Sequence, residues 1–229
     1  MSAALADATW TQLEGGARPR VLAVPVGSTE QHGPHLPLST DTDIAVAIAG
    51  EVARMRSQVV VAPAVAYGSS GEHAGFPGTL SIGRAATELL LVELGRSASA
   101  TFPRIVFISA HGGNREPVVR AQRRLLAEDR DVLAFFPAWR GDAHAGRTET
   151  SLMLAVAPER VRMDRARAGE TAPIGTLMAK LVAAGVRPVS GNGVLGDPTG
   201  ATAQEGRALL AEAGAALARM VDDRPVDAA

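Results

Sequence analysis

Val21-Leu-Ala-Val-Pro-Val26 runs directly into Gly27-Ser-Thr-Glu-Gln-His-Gly-Pro-His-Leu-Pro-Leu-Ser-Thr-Asp41, and how this stretch is read decides the fold class. Its first six residues form an apolar run of strand length, too short for a helix of its own. The proline-, glycine- and serine-rich segment behind them excludes a helix and predicts a loop at the strand's C-terminal end. Helical spacing then resumes: Ile44, Ala47, Ile48 and Val52 share one face of a helix predicted over residues 43–55. Strand, loop and helix in that order make the repeating unit of a sheet covered by helices.

The alternation continues outward. Residues 59–62 read as a second strand, 67–79 as a long loop, 85–100 as a helix, 104–109 as an apolar strand, 118–127 as a helix and 132–136 as another strand. Residues 137–147 are loop-like, and 149–157 read as a short helix with Thr148 as its expected N-cap. A final helix is expected over 202–221, whereas 160–197 carries no clear periodicity. No repeat or low-complexity linker divides the chain, so residues 1–229 are read as a single α/β domain. Ligands of such sheets gather outside the C-terminal ends of the strands. That directs attention to the loops beginning at Gly27, Tyr67, Ala110 and Pro137.

Composition narrows the chemistry. A formal net charge of −1 provides no field for holding a polyanion, so no nucleic-acid partner is expected. With Cys 0, disulfides, thiolate nucleophiles and cysteine-ligated metals are excluded, and any metal site must use histidine and carboxylate. No apolar run approaches the ~20 residues of a bilayer span, and the first residues lack a basic and then apolar leader. A cytoplasmic protein without a membrane partner is the expectation.

All five histidines, His32, His35, His73, His111 and His144, fall in these loops. One loop histidine is ordinarily a surface or hydrogen-bonded residue. Five of them, accompanied by Glu30, Asp41, Glu72, Asn114 and Glu149, point to a metal site. Glu30 and His32 are two apart, so an extended backbone projects both to one side. Pro34 and Pro37 stiffen the loop, and Asp41 at the next helix start can return a carboxylate to the same place, cap the helix, or do both. A nitrogen and oxygen set of this kind suits Zn, Mn or Fe(II), and two ions can share one carboxylate. Behind His111, Gly112 and Gly113 permit close backbone approach and offer free N–H groups near a helix start, although a tight turn alone would also use them. His144 and Glu149 bracket another turn, where the carboxylate either ligates or favours a helix N-terminus.

Two motifs point elsewhere. Gly191-Asn-Gly193-Val-Leu-Gly196 spells the dinucleotide fingerprint, yet no strand is evident before it and Asp197-Pro198 stands where its helix should begin. His111-Gly-Gly is similar to an esterase oxyanion loop, but no serine lies in a Gly-x-Ser-x-Gly elbow.

The chain resembles the creatininase (creatinine amidohydrolase) family. Glu30-Gln-His-Gly-Pro-His-Leu-Pro-Leu with Asp41, His111-Gly-Gly-Asn114, and His144-Ala-Gly with Glu149-Thr-Ser-Leu-Met-Leu look like its three hallmark blocks, in order and over most of the chain. The resemblance implies a three-layer α/β/α sandwich with a mostly parallel central sheet. It implies a homo-oligomer, dimer-based and commonly a hexamer. It also implies two divalent metal ions per subunit, Zn or Fe(II) or both with Mn as a further candidate, that hydrolyse unusual amides. Carried over by position, Glu30 and His111 bind one ion, His32 the second, and Asp41 both. Creatininase itself has a glutamate where this chain has Gly113; members with the His-Gly-Gly-Asn form fill that shell from the Glu-Thr-Ser block, which implies Glu149. His144 matches the catalytic histidine, moving a proton from a hydroxide-forming water shared by the ions to the leaving nitrogen, with Glu149 as ligand or as a second acid/base. Charge on the tetrahedral intermediate would fall to the metals and to the Gly112 and Gly113 amides.

The substrate follows from finer matches. Trp139 resembles one of two tryptophans that close the creatinine pocket, but the position four before the catalytic histidine is Arg140 here. Tyr67-Gly-Ser-Ser-Gly-Glu-His73 and Gly193-Val-Leu-Gly-Asp-Pro198 with Ala201-Thr-Ala-Gln-Glu-Gly206 are most similar to the mycofactocin-system branch of the family. That branch implies cleavage of a modified ribosomal precursor peptide just before its C-terminal Val-Tyr pair. Arg140 then either forks onto a peptide carboxylate or is simply solvated. Glu72 and His73 line the cleft or brace their own loop. The alternatives are a hydrolase of a small cyclic amide or formamide, a non-catalytic metal-binding scaffold, and a nucleotide-binding module.

Overall fold

The computed structural model describes residues 4–15 and 21–223; expectations for the remaining residues lie outside it. Its centre is a sheet of four parallel strands, β1 (Val21–Pro25), β2 (Val59–Val61), β3 (Arg104–Ile108) and β4 (Asp131–Phe135), in the order β2-β1-β3-β4. β1 is buried along its whole length, and its side chains alternate between the two faces. Val21 and Ala23 join a cluster with Ile44, Ile48, Leu152 and Leu217, while Leu22 and Val24 join another with Leu91, Val118 and Leu125.

Those partners define two helical layers. Of the chain's helices, α1 (Trp10–Gly15) precedes the sheet; α2 (Thr40–Met55), α5 (Arg147–Val156) and α7 (Ala203–Asp222) cover one face, and α3 (Gly83–Ala98) and α4 (Arg115–Leu126) the other. The fold is therefore the expected α/β/α sandwich with a parallel sheet. From β1 the chain moves to β2 on one side and then returns to β3 on the other. The gap between β1 and β3 is thus the topological switch point, where the loops leaving both strands diverge and open a crevice.

Most element boundaries move by one to three residues from the sequence reading, α3 beginning at Gly83 and α4 at Arg115, and three differences bear on the site or the fold. α2 begins at Thr40, not residue 43, which places Asp41 inside its first turn with Ser39 as N-cap. α5 begins at Arg147 with Gly146 as N-cap, so Thr148 is not the cap; the Glu149 carboxylate reaches back instead and accepts from the Ala145 N–H at 2.6 Å. Residues 160–197 contain α6 (Ile174–Ala184), a helix that buries none of its residues and so lacks the half-buried stripe that a periodicity reading detects. No helix among the described residues is long and apolar enough to cross a membrane.

Candidate metal centre

The loop after β1 carries Glu30 and His32, the first turn of α2 carries Asp41, the loop after β3 carries His111, and the start of α5 carries Glu149. All five converge beside the switch point. Glu30, His32 and Asp41 are essentially inaccessible to solvent and His111 nearly so. Asp41 lies between the two halves: its Oδ1 is 3.5 Å from His32 Nε2 and its Oδ2 is 3.4 Å from His111 Nδ1. Glu149 Oε2 is 3.7 Å from His32 Nε2, and Glu30 Oε2 is 3.2 Å from His111 Nε2.

Three histidines share one orienting device. A carbonyl oxygen can only accept, so the ring nitrogen facing it carries the proton. His32 Nδ1 donates to the Glu30 carbonyl at 3.1 Å, His111 Nε2 to the Ser69 carbonyl at 2.8 Å, and His144 Nε2 to the Gln31 carbonyl at 2.8 Å. Each ring then turns its other nitrogen toward the carboxylates: His144 keeps a lone pair there, whereas on His32 and His111 that nitrogen carries a second proton that a bound cation would displace. Histidine metal ligands commonly have their tautomer and ring orientation fixed in this way, by a hydrogen bond from the other ring N–H to a carbonyl.

The site fits a cation. Glu30 Oε1, Glu30 Oε2 and His32 Nε2 are buried and accept or donate no hydrogen bond, and unpartnered polar atoms at such depth are costly. Potential ligand atoms cluster as Glu30, Asp41 and His111, and as His32, His144 and Glu149; a third group joins Glu30 to His73 and His144. The electrostatics agree. Burial alone would depress the His32 imidazole, yet Asp41, Glu149 and Glu30 outweigh it and hold the group up at about 10. Burial likewise opposes the His111 charge, but Glu30 and Asp41 raise it well above its ordinary value. Burial pushes the Glu149 carboxyl up to about 7, against His32 and with help from Asp41. A nest of carboxylates that recruits protons onto its histidines is one that divalent ions would occupy in their place.

His144 differs. Burial, with His32 and His73 beside it, keeps its imidazole well below the usual value, hence neutral. Its free Nδ1 lies 3.9 Å from both Glu30 Oε1 and Glu149 Oε2, midway between the halves of the cluster. It is a neutral imidazole whose unprotonated nitrogen faces the carboxylates.

Gln31 gave no separate signal in the sequence, because it stands between two candidate ligands. Its Oε1 accepts from the Gly33 N–H at 2.9 Å, and its Nε2 donates to the Gly193 carbonyl at 3.0 Å and to His73 Nδ1 at 2.8 Å. The proton of His73 is therefore left on Nε2, which lies 3.2 Å from Glu30 Oε1 as a charge contact and not a hydrogen bond. Ser28 Oγ donates to Asp41 Oδ2 at 2.6 Å, a second contact the sequence did not disclose. His35 stands apart, bonded through Nε2 to Thr150 Oγ1 at 2.9 Å.

The remaining candidates surround this centre. Glu72 Oε1 is 3.7 Å from His111 Nε2, and burial raises its carboxyl. A Cβ on Gly113 would collide with the Ser69 carbonyl and the Glu72 carboxylate and come within 2.5 Å of His111 Nε2, whereas one on Gly112 would meet nothing within 4 Å. Glu72 thus fills the space that a side chain at 113 would need. Trp139 is half-buried on the core with its indole N–H unpartnered. Arg140 is exposed and forms no hydrogen bond or ion pair with the centre among the described residues. The fingerprint glycines have a packing role: Gly193, at φ 80°, leaves room for Gln31, and the short turn Pro198–Gly200 separates the motif from α7, so no helix starts at its last glycine.

The family model described as creatinine amidohydrolase matches residues 6–221. A protein of Mycolicibacterium smegmatis named mycofactocin precursor peptide peptidase is 56% identical over 202 residues, covering 85% of this chain and 81% of that one. A protein of the same name from Mycobacterium tuberculosis is 48% identical over 230 residues, covering 96% and 88%. A solved creatininase with Mn in its description superposes with a TM-score of 0.81 at 25% identity, covering 97% of this chain and 98% of that one.

Proposed function

The chain belongs to the creatininase (creatinine amidohydrolase) family, and from that premise we propose that it is a dinuclear metal-dependent amide hydrolase that cleaves a modified mycofactocin precursor peptide, releasing its C-terminal Val-Tyr-derived dipeptide. The observation that carries the chemistry is Asp41, whose two oxygens face His32 and His111 separately within a buried carboxylate nest. The substrate class rests on the peptidase relatives, which match nearly the whole chain.

In this reading Glu30, Asp41 and His111 would hold one ion and His32, Asp41 and Glu149 the other, with Zn, Fe(II) and Mn as candidates for this donor set. When bound, the two ions would polarise the scissile carbonyl and bring the ionisation of the attacking water near neutral pH. The chain supplies the rest. His144 Nδ1, neutral and facing the centre, takes the proton of the nucleophile and returns it to the departing amide nitrogen. Glu149, 3.9 Å from that nitrogen, keeps the imidazole pointed inward and is a second proton acceptor. The N–H groups of Gly112 and Gly113, at a helix start and without intrahelical partners, orient the developing oxyanion. Glu72, Trp139 and Arg140 border the space left for the peptide. Assembly as a dimer-based homo-oligomer in the cytoplasm completes the reading, supported by the apolar exposure of α6, where Val182 is 80% exposed.

Mass spectrometry of the modified precursor peptide incubated with metal-loaded protein tests this, with creatinine and a metal-stripped sample alongside. Metal-dependent loss of the C-terminal dipeptide is expected. Turnover of creatinine with the peptide intact would overturn the substrate, and no turnover of either would favour a non-catalytic scaffold.

A further inference from the structure

A groove of about 410 Å³ opens beside the Gly112–Gly113 turn and runs along α4 as far as Arg123, with Arg84 of α3 on its other side. Four of its lining residues are arginines: Arg84, Arg115, Arg120 and Arg123. The only lining carboxylate is Glu116, in a chain whose net charge is −1. Two of the arginines are already engaged, Arg84 with Glu116 at 2.9 Å and Arg120 with Glu88 at 2.7 Å. Arg115 lies over the Phe136 ring with its guanidinium 4.8 Å from the centroid. Neither Arg115 nor Arg123 has a carboxylate within ion-pair distance among the described residues. The groove shares Gly112 and Gly113 with the metal centre, and the space of a Gly113 Cβ is 2.5 Å from His111 Nε2.

We propose that this groove docks an acidic stretch of the peptide substrate, on the side of the scissile bond away from the released dipeptide; the proposal rests on the peptide-hydrolase reading above. The length supports it. Arg115 and Arg123 are eight positions apart, about 12 Å along the helix at ~1.5 Å per residue, which an extended peptide covers in about four residues at ~3.3 Å each. One terminal carboxylate cannot engage both ends, and a small cyclic amide has neither the reach nor the charge. Removal of only two residues from the C-terminus leaves the long N-terminal remainder to be held, and the groove is an arginine-lined surface that reaches the centre's loop at Gly112 and Gly113. Guanidinium forks match carboxylates, so the ligand class is a peptide with two or more Asp or Glu side chains upstream of the cut.

The test is steady-state cleavage by the metal-loaded enzyme of three forms of the modified peptide: with acidic residues upstream of the cut, with these replaced by their amides, and with the acidic residues kept but the C-terminus amidated. R115Q/R123Q is expected to raise KM for the acidic form roughly 2- to 30-fold, the range of two exposed charge pairs, with kcat within about twofold. The neutralised form should show the same raised KM with the unaltered enzyme and no further rise with the variant, and R115K/R123K should restore much of the loss. An unchanged KM in the variant, or a KM that follows the C-terminal carboxylate instead, overturns the proposal. Anisotropy of the labelled acidic peptide separates the two readings. Arginine-dependent binding without cleavage defeats the hydrolase assignment alone, and cleavage indifferent to both arginines defeats the groove alone.

Discussion

Gly113 provides the most direct test of how the centre is built. A methyl group there would overlap the Ser69 carbonyl, which is backbone, and the Glu72 carboxylate, and would sit 2.5 Å from His111 Nε2, where ordinary contact begins at 3.4 Å. The turn or the imidazole must therefore yield by about 1 Å. Overpacking of this sort costs about 1–3 kcal/mol, which for a chain of this length is a fall in Tm of roughly 2–12 °C. The same movement pulls His111 away from the Ser69 carbonyl that orients it and from Glu30, so metal retention should fall together with stability. Gly112 is the internal control, since a Cβ there meets nothing within 4 Å, and surface substitutions of that kind stay within about 0.5 kcal/mol. G113A and G112A would be compared by thermal unfolding in the metal-free form and by metal content after gel filtration. If both variants unfolded at the same temperature and retained equal metal, Gly113 would not be a steric requirement and the account of Glu72 occupying that space would be wrong.

Other consequences can be measured separately. Q31L leaves the Gly193 carbonyl and His73 Nδ1 as buried acceptors without donors, at about 1–3 kcal/mol each; chemical denaturation should show a loss of roughly 2–6 kcal/mol, and a loss below 1 kcal/mol would contradict the network. H144A should retain metal but lower kcat by roughly 10²- to 10⁴-fold, so loss of metal without that drop would make His144 a ligand instead. Loading with divalent metal should release protons, because His32, held up at about 10, and His111, raised well above its ordinary value, are charged in the metal-free form at pH 7. The affinity for each ion, which displaces one imidazolium proton, should then rise about 10-fold per pH unit around neutrality, and calorimetry in buffers of different ionisation enthalpy that showed no proton release would refute the reading.

The layers of the fold were legible because each strand and its following helix bury apolar residues in a period of their own. The six residues from Val21 to Val26 read as a strand because their side chains supply both cores, and α2 read as a helix because Ile44, Ile48 and Val52 face β1. Where burial ceases, so does the signal. α6 has an apolar composition but buries nothing, with Ile174 43% and Met178 46% exposed. Helix boundaries were displaced for a different reason: Asp41 and Glu149 are committed to the centre, so their position relative to the helix start is dictated by long-range contacts and not by local capping preference.

The candidate site divides along the same line. Residue types and their position after strands suffice to bring Glu30, His32, Asp41, His111 and Glu149 together, because parallel strands direct their following loops to one edge of the sheet. What orients them is invisible to that logic. The carbonyls of Glu30, Gln31 and Ser69 that set the three imidazole tautomers belong to the backbone and carry no residue signature. Gln31 acts through partners 42 and 162 positions away. Gly113 read as a departure from the creatininase pattern, and in the structure its missing side chain leaves room for the Glu72 carboxylate beside His111. The space left open at position 113 is thus occupied by a carboxylate arriving from a different loop. Spacing along one segment cannot reveal such an exchange; it emerges only when the loops after β2 and β3 are folded against each other.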